Sequence, residues 1–329
     1  MKKILITGGG GYVGSALVPF LITKGFHVVV IDWFLYKPNL FDEFNENQIT
    51  KIIGDIRDIN VIKKGLENVN YVIHLACISN DPSAELNPNL SLDINQNAFE
   101  VLLNECKKIK IEKFIFASSS SIYGISDSPQ VYEDHPKVPV SLYNITKAWC
   151  EDLLFKKYQD IPFVIVRPAT ICGYADRIRL DLAVNLLSAH GIINKKINVF
   201  GGEQYRPNLH IKDMINLYFF LIEADINIIL HQVYNASYKN LTISEISQGI
   251  VDTLKTSIGK IEINHTPSND PRSYRVNTDK LSSLGFAPSF TISDATNELL
   301  YAFKKNLISS NLSDPIYNNV NMMKTRKIT

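Results

Sequence analysis

The sequence predicts an α/β protein, a doubly wound parallel sheet with helices on both faces followed by a smaller, mostly helical C-terminal lobe. Three observations predict it. Short β-branched runs alternate with stretches of helical apolar spacing through the first half; the alternation stops after about residue 170; and a glycine cluster stands where the first run gives way to the first helical stretch.

Residues 3–7, 28–31, 49–53, 71–75, 114–118 and 163–166 are short, apolar on both faces and bounded by Gly, Asp, Ser or Pro, which marks buried strands. Residues 13–24, 59–66, 90–108 and 142–158 repeat apolar side chains at helical spacing. Pro19 falls inside the first of these helices and is expected to kink it or delay its start. Beyond residue 170, helical patterns at 180–190, 212–224, 243–254 and 292–305 are separated by Gly-, Pro- and Asn-rich connections. A short strand near 232–236 could return to the first sheet. The expected division is 1–170, 171–308 and a loose, Asn-rich tail over 309–329.

Composition excludes several function classes. In 329 residues, Lys+Arg 34 against Asp+Glu 33 leaves a net charge of +1, with no dense basic run to follow a nucleic acid or an anionic membrane. The apolar stretch before Gly8 is too short for a signal peptide, and no stretch approaches the ~20 residues that cross a bilayer. Cys77, Cys106, Cys150 and Cys172 are scattered without metal-ligand or disulfide spacing, so no metal is expected and a reducing cytoplasm fits.

Gly8, Gly11 and Gly14 stand in G-x-x-G-x-x-G order after the first strand, with Tyr12 and Val13 opening the helix. Gly8 allows a sharp turn, Gly11 lets backbone approach a pyrophosphate, and Gly14 lets helix and strand pack closely. Asp32 ends the second strand, where a carboxylate accepts hydrogen bonds from ribose hydroxyls and repels a 2′-phosphate, which points to NAD rather than NADP. Asp55 and Ile56 follow the third strand and could meet an adenine edge. Tyr143 and Lys147 share a helix face at i, i+4, and an ammonium there would lower the phenol pKa from about 10 toward neutrality. The serine run Ser118–Ser121 begins where the fifth strand ends, at the crevice used by the glycine loop. Each feature alone has a plainer reading: an exposed Asp, a turn before a helix, a surface helix pair, a serine-rich cap. Their joint occurrence in order favours one site.

With these pieces in place, the sequence resembles the extended short-chain dehydrogenase/reductase family, in particular its nucleotide-sugar epimerases and dehydratases of the UDP-glucose 4-epimerase kind. The matching segments are Thr7-Gly8-x-x-Gly11-x-x-Gly14, Asp32, Asp55-Ile56, His74-Leu75-Ala76, Asn95, the serine loop ending in Tyr123-Gly124, Tyr143-x-x-x-Lys147 and Arg167-Pro168. Arg206-Pro207-Asn208-Leu209-His210 and Asp270-Pro271-Arg272 are similar to later segments of the family. The resemblance implies a Rossmann-type NAD-binding domain at 1–170 and a nucleotide-sugar-binding lobe at 171–308. It implies cofactor contacts from Gly8, Gly11, Tyr12, Val13, Gly14, Asp32, Asp55, Ile56, Leu75, Ala76, Asn95, Tyr143 and Lys147. Ser119, Tyr143 and Lys147 are then catalytic, and Ser120, Ser121, Thr170, Arg179, Arg206 and Arg272 bind substrate, the last two at its diphosphate. A cytoplasmic homodimer formed through helices of the first domain, including the Tyr143 helix, is also implied.

Two departures narrow the chemistry. Ser120 and Ser121 stand where 4,6-dehydratases carry an Asp-Glu pair, and Ser121 replaces the acid of decarboxylases and the cysteine of 3,5-epimerase/4-reductases. Reactions needing only hydride transfer and the tyrosine remain. Thr170 replaces an Asn, and Gly173-Tyr174 the usual Gly-Pro, so sugar contacts differ in detail. The leading expectation is an NAD-dependent nucleotide-sugar 4-epimerase working through a 4-keto sugar. The alternatives are a 4-dehydrogenase or 4-ketoreductase, a dehydratase or decarboxylase with rearranged acid-base groups, and a non-catalytic NAD sensor.

Overall fold

A computed structural model describes residues 1–126, 128–267 and 273–328. The first half comprises β1 (Lys3–Thr7), α1 (Tyr12–Thr23), β2 (His27–Asp32), β3 (Ile49–Ile53), α2 (Ile59–Gly65), β4 (Tyr71–His74), α3 (Asp81–Leu86), α4 (Pro88–Leu92), α5 (Ala98–Ile109), β5 (Lys113–Ala117), α6 (Leu142–Lys157) and β6 (Phe163–Pro168). The second half adds β7 (Thr170–Cys172), α7 (Ala183–Asn194), β8 (Lys196–Phe200), β9 (Tyr205–His210), α8 (Ile211–Glu223), α9 (Ile226–Ile229), β10 (Val233–Ala236), β11 (Lys239–Thr242), α10 (Ile243–Ile258), β12 (Glu262–Thr266), α11 (Asp279–Ser283), α12 (Ile292–Lys304) and α13 (Asn319–Thr325).

Seven strands form one sheet in the order β10-β6-β5-β4-β1-β2-β3, all neighbours parallel. The chain moves outward from β1 to β3, then returns to β4 on the other side of β1. That reversal opens a crevice at the carboxyl ends of β1 and β4, the place where such sheets bind ligands. Alternation along the strands divides the core in two. Ile4, Ile6, Val28 and Val30 face α1 and α8 through Leu17, Leu21, Leu217 and Tyr218, whereas Leu5, Val29 and Ile31 pack with Ile62, Phe99, Leu102 and Leu154 of α2, α5 and α6. This is the Rossmann-type architecture.

The second half is not wholly separate. β10 returns to the edge of the main sheet beside β6, and α8 packs on α1. The remainder builds its own core from Val184, Leu187, Ile250, Leu254 and Leu300 on α7, α10 and α12, against the parallel pair β8 and β12. A further three-stranded sheet has the order β11-β9-β7.

Several expectations are corrected. Pro19 neither delays nor ends α1, which begins at Tyr12; the ring removes a single backbone donor from the ladder. The long helix expected at 90–108 is interrupted by a π-helical turn at Asp93–Asn97. The loose tail is folded. Its polar residues serve as caps, Asp314 accepting from the Ile316 N–H and Asn318 from the Asn321 N–H, while Met322 and Met323 are buried. Among the described residues, no helix is long and apolar enough to cross a membrane.

Glu298 of α12 ties the lobe to the junction after β7. It accepts from the Tyr174 N–H at 3.1 Å and pairs with Lys212 at 2.5 Å, and His210 Nε2 lies 3.2 Å away. Burial alone would raise its pKa, but the contacts from His210 and Lys212 outweigh burial and hold the carboxyl down to about 2. Because the folded value lies below the unfolded one, this stabilisation is complete above about pH 5 and is lost as pH falls toward 2; with the carboxyl partly open to water, which screens the pairing, the contribution is about 1–2 kcal/mol. Glu298→Gln should lower stability at pH 7 and flatten the acid limb of a denaturation profile. A difference from the parent protein that persists undiminished at pH 2 would contradict this.

Candidate active site

The ends of β1, β4, β5 and β6 open into one cavity of about 760 Å³. Gly8 turns the chain after β1 with φ +74°, and a Cβ there would lie 2.5 Å from the Ala76 backbone nitrogen, so both the turn and the close approach require glycine. Gly14 meets the Gly9 carbonyl in the same way, at 2.3 Å. Gly11 begins α1 without a side-chain cap, which leaves the N–H groups of the first turn toward the cavity. Beside them Asp32 accepts from the N–H groups of Gly10 (3.0 Å) and Phe34 (2.7 Å). Burial raises the Asp32 pKa, while these bonds and the charge of Arg177 oppose the rise.

Most of the expected cofactor residues share this wall: Gly8, Gly11, Tyr12, Val13, Gly14, Asp32, Ile56, Leu75, Ala76, Tyr143 and Lys147 all line it. Two do not. The Asp55 carboxylate is held bidentately by Arg57, with bonds of 3.0 and 2.6 Å, and is not part of the lining. Asn95, in the π-helical turn, spends its amide on Ile78 N (2.8 Å), Ile78 O (3.2 Å) and Thr146 Oγ1 (3.2 Å). It braces the loop after β4 against α6 rather than meeting the cavity. The Tyr12 ring is likewise structural, donating to the Gly173 carbonyl at 2.6 Å.

At the other end, α6 begins at Ser141, whose hydroxyl accepts from the Asn144 N–H. This start places Tyr143 and Lys147 one turn apart on the cavity face. The Tyr143 phenol lies near the Ser119 hydroxyl, and both line the cavity. Ser119 Oγ lies 2.7 Å from Ser121 Oγ, which donates to Asn144 Oδ1. Lys147 donates to the Ala117 carbonyl at 2.6 Å, and its ammonium sits 5.9 Å from the Tyr143 ring centre. One expectation is overturned: the phenol pKa is not lowered. Burial pushes it up, Cys77 adds to this, and the opposing influences are the nearby Ser119 hydroxyl and the charge of Arg179.

Of the expected substrate residues, Ser120, Ser121, Thr170 and Arg179 line the cavity. Ser120 lies 3.3 Å from the Tyr274 hydroxyl, and Arg179 is paired with Asp181 at 2.9 and 3.0 Å. Arg206 lies on β9 outside the lining, donating to the Tyr205 carbonyl at 3.0 Å. Arg272 falls outside the described residues.

Sequence reasoning missed the support beneath the serine loop. Glu151, fully buried, accepts from Ser118 Oγ (2.6 Å) and from Arg167 Nε and NH2 (2.9 and 2.7 Å). Arg167 also donates to Tyr123 OH at 2.7 Å, and Tyr123 to Asn235 at 2.7 Å. It missed Trp33, Tyr36 and Asn319 as lining residues as well. Arg177, which the sequence offers with Arg179 and Asp181 as a replacement for the altered diphosphate and sugar contacts, also lines the cavity.

A glycine cradle with no room for side chains, an uncapped helix end, a buried carboxylate at the end of β2 and a buried guanidinium whose Nε lacks a partner fit a dinucleotide. Among the described residues no side-chain cluster suits a metal.

Comparison with known proteins agrees. Residues 4–237 match the NAD dependent epimerase/dehydratase family, and the chain belongs to it. It is an NAD-dependent enzyme of the extended short-chain dehydrogenase/reductase type. An uncharacterized UDP-glucose epimerase, YtcB, of Bacillus subtilis is 33% identical over 227 residues, 65% of this chain and 70% of that protein. The human dTDP-D-glucose 4,6-dehydratase is 22% identical over 326 residues, 93% of this chain and 91% of the relative. Among solved structures, UDP-glucuronic acid 4-epimerase from Bacillus cereus, in complex with UDP-glucuronic acid and NAD, superposes with TM-score 0.79 at 30% identity, covering 92% of this chain and 99% of that one.

Proposed function

We propose that this protein is a nucleotide-sugar 4-epimerase acting at C4 through a 4-keto sugar. The observation that carries the reading is the convergence of Ser119, Tyr143 and Lys147 on one cavity wall, in a serine loop that bears hydroxyls rather than carboxylates. Epimerase relatives support the same reading.

The residues would divide the work as follows. Ser119 holds the C4 oxygen of the sugar. Tyr143, beside Ser119 on the same wall, exchanges a proton with that oxygen. Lys147, anchored on the Ala117 carbonyl and 5.9 Å from the Tyr143 ring centre, would hold the cofactor ribose and place its charge near the phenol. The glycine loop and Asp32 would hold NAD, which when bound supplies the hydride acceptor and donor. Ser120, Ser121, Thr170 and Arg179 line the sugar end, where hydroxyl and guanidinium groups suit a polyhydroxyl ring. Dehydration needs an acid and a base besides the tyrosine, and Ser120 and Ser121 supply neither. A cytoplasmic homodimer formed through first-domain helices belongs to the same reading.

Incubation with UDP-glucose, UDP-glucuronic acid and UDP-N-acetylglucosamine, followed by chromatography and NADH absorbance, tests it. The expected result is a C4 epimer of one of them without net NADH. Stoichiometric NADH would assign a 4-dehydrogenase instead, and a 4-keto-6-deoxy product a dehydratase.

A further inference from the structure

Arg177, between β7 and α7, has a setting the proposed reaction does not use. Its side chain is 4% exposed and lies against Tyr36, 3.6 Å from the ring centre, with NH2 donating to Asn319 Oδ1. Nε is buried without a partner, and among the described residues no carboxylate lies within ion-pairing distance of the guanidinium. Its neighbour Arg179 is neutralised by Asp181 through two hydrogen bonds. A buried cation that no carboxylate pairs directly, with Asp181 and Asp32 acting on it only from beyond contact, is unfavourable. Burial pushes the Arg177 pKa down to about 10, still charged at neutral pH.

The location of this charge indicates what neutralises it. The Arg177 backbone N–H donates to Ser15 Oγ at 3.1 Å, so its segment is seated on the first turn of α1. The side chain lines the same cavity as Gly11 and Gly14, where α1 starts uncapped. Two sources of positive potential, a helix N-terminus from the first half and a guanidinium from the second, thus face one volume. Arg177 also lies at the Asp32 and Tyr36 end of that volume, whereas it is Arg179 whose charge reaches Tyr143.

We propose that Arg177 binds the diphosphate of the dinucleotide cofactor, completing from the second half of the chain the anion site that the glycine loop opens. Tyr36 fixes the guanidinium plane by stacking. Asn319 holds one end of it while accepting from Tyr36 OH at 3.0 Å and donating to Ser79 Oγ at 2.9 Å. The proposal rests on the NAD-dependence of the enzyme and not on the C4 reaction, so a protein that binds NAD yet exchanges nothing at C4 would leave it standing.

Calorimetric titration of the full chain, stripped of nucleotide, with NAD, NADP, ADP and adenosine tests it, using Arg177→Met and Arg177→Lys beside the parent. A charge-assisted bond of this kind corresponds to roughly a 10- to 150-fold change in affinity. Arg177→Met should weaken NAD and ADP by at least about 10-fold and leave adenosine within about twofold. Arg177→Lys should recover part of the loss. The melting temperature of the nucleotide-free Met variant should equal or exceed that of the parent, because an unpaired buried charge has gone, while the increment added by NAD shrinks. NAD and ADP affinities unchanged in Arg177→Met would overturn the proposal. So would equal losses for adenosine, or equal destabilisation of both nucleotide-free variants, which would make the residue structural. A loss confined to NADP would assign the guanidinium to the 2′-phosphate instead and overturn it as well.

Discussion

Tyr143→Phe is expected to keep its fold and its NAD and to lose at least about 100-fold in turnover of the nucleotide sugar, the scale of a removed acid-base group. The ring remains and its packing is unchanged; only the phenol oxygen beside Ser119 goes. The prediction is sharpened by pH. Burial raises the phenol pKa, so the fraction of phenolate, and with it the rate of sugar oxidation, should climb as pH rises. Arg179→Met removes a charge that favours phenolate and should move that climb to higher pH. Near-normal turnover by Tyr143→Phe on the identified substrate would refute the assignment of the tyrosine.

Glu151→Ala should be the most damaging single change to stability, about 3–5 kcal/mol, because it leaves the Arg167 guanidinium buried without its carboxylate. Denaturant midpoints measure it. Arg167→Met combined with Glu151→Leu should restore much of the loss, since an apolar pair of similar volume carries no desolvation cost. A loss below about 1 kcal/mol for Glu151→Ala would mean that water or another group replaces the carboxylate. Glu151 also receives the Ser118 hydroxyl, so a variant that folds should still turn over slowly, with its serine loop displaced.

What the sequence disclosed divides along physical lines. The strands of the parallel sheet were legible because burial on both faces demands continuous β-branched runs, as in Ile4, Leu5 and Ile6. The glycine loop was legible because its constraint is local. β9 was not: Tyr205-Arg206-Pro207-Asn208 is polar and contains a proline, yet it forms a central strand. β7 pairs only with Asn208–His210, so Pro207, with no N–H to give, stands beyond the end of that ladder. Asp55 and Asn95 have the residue types of a binding site, but only the folded chain shows that Arg57 and Ile78 occupy them. The cluster of Tyr36, Arg177 and Asn319 was hidden for a different reason. Tyr36 and Asn319 are 283 positions apart, and no local spacing registers that meeting.

That meeting has a bearing on how the protein is made. Gly8–Gly14 and Asn318–Met323 wall the same cavity, and the ribosome delivers the first group long before the second. At roughly 5–20 residues per second, the glycine loop waits on the order of 15 to 60 s for the segment that covers it. Within that interval the β1–α1 unit can form with its uncapped helix end open, but Arg177 arrives only about halfway through it and then lacks Asn319. A nascent chain arrested before residue 318 would carry its glycine loop without the wall that Asn318–Met323 completes and without the Asn319 partner of Arg177.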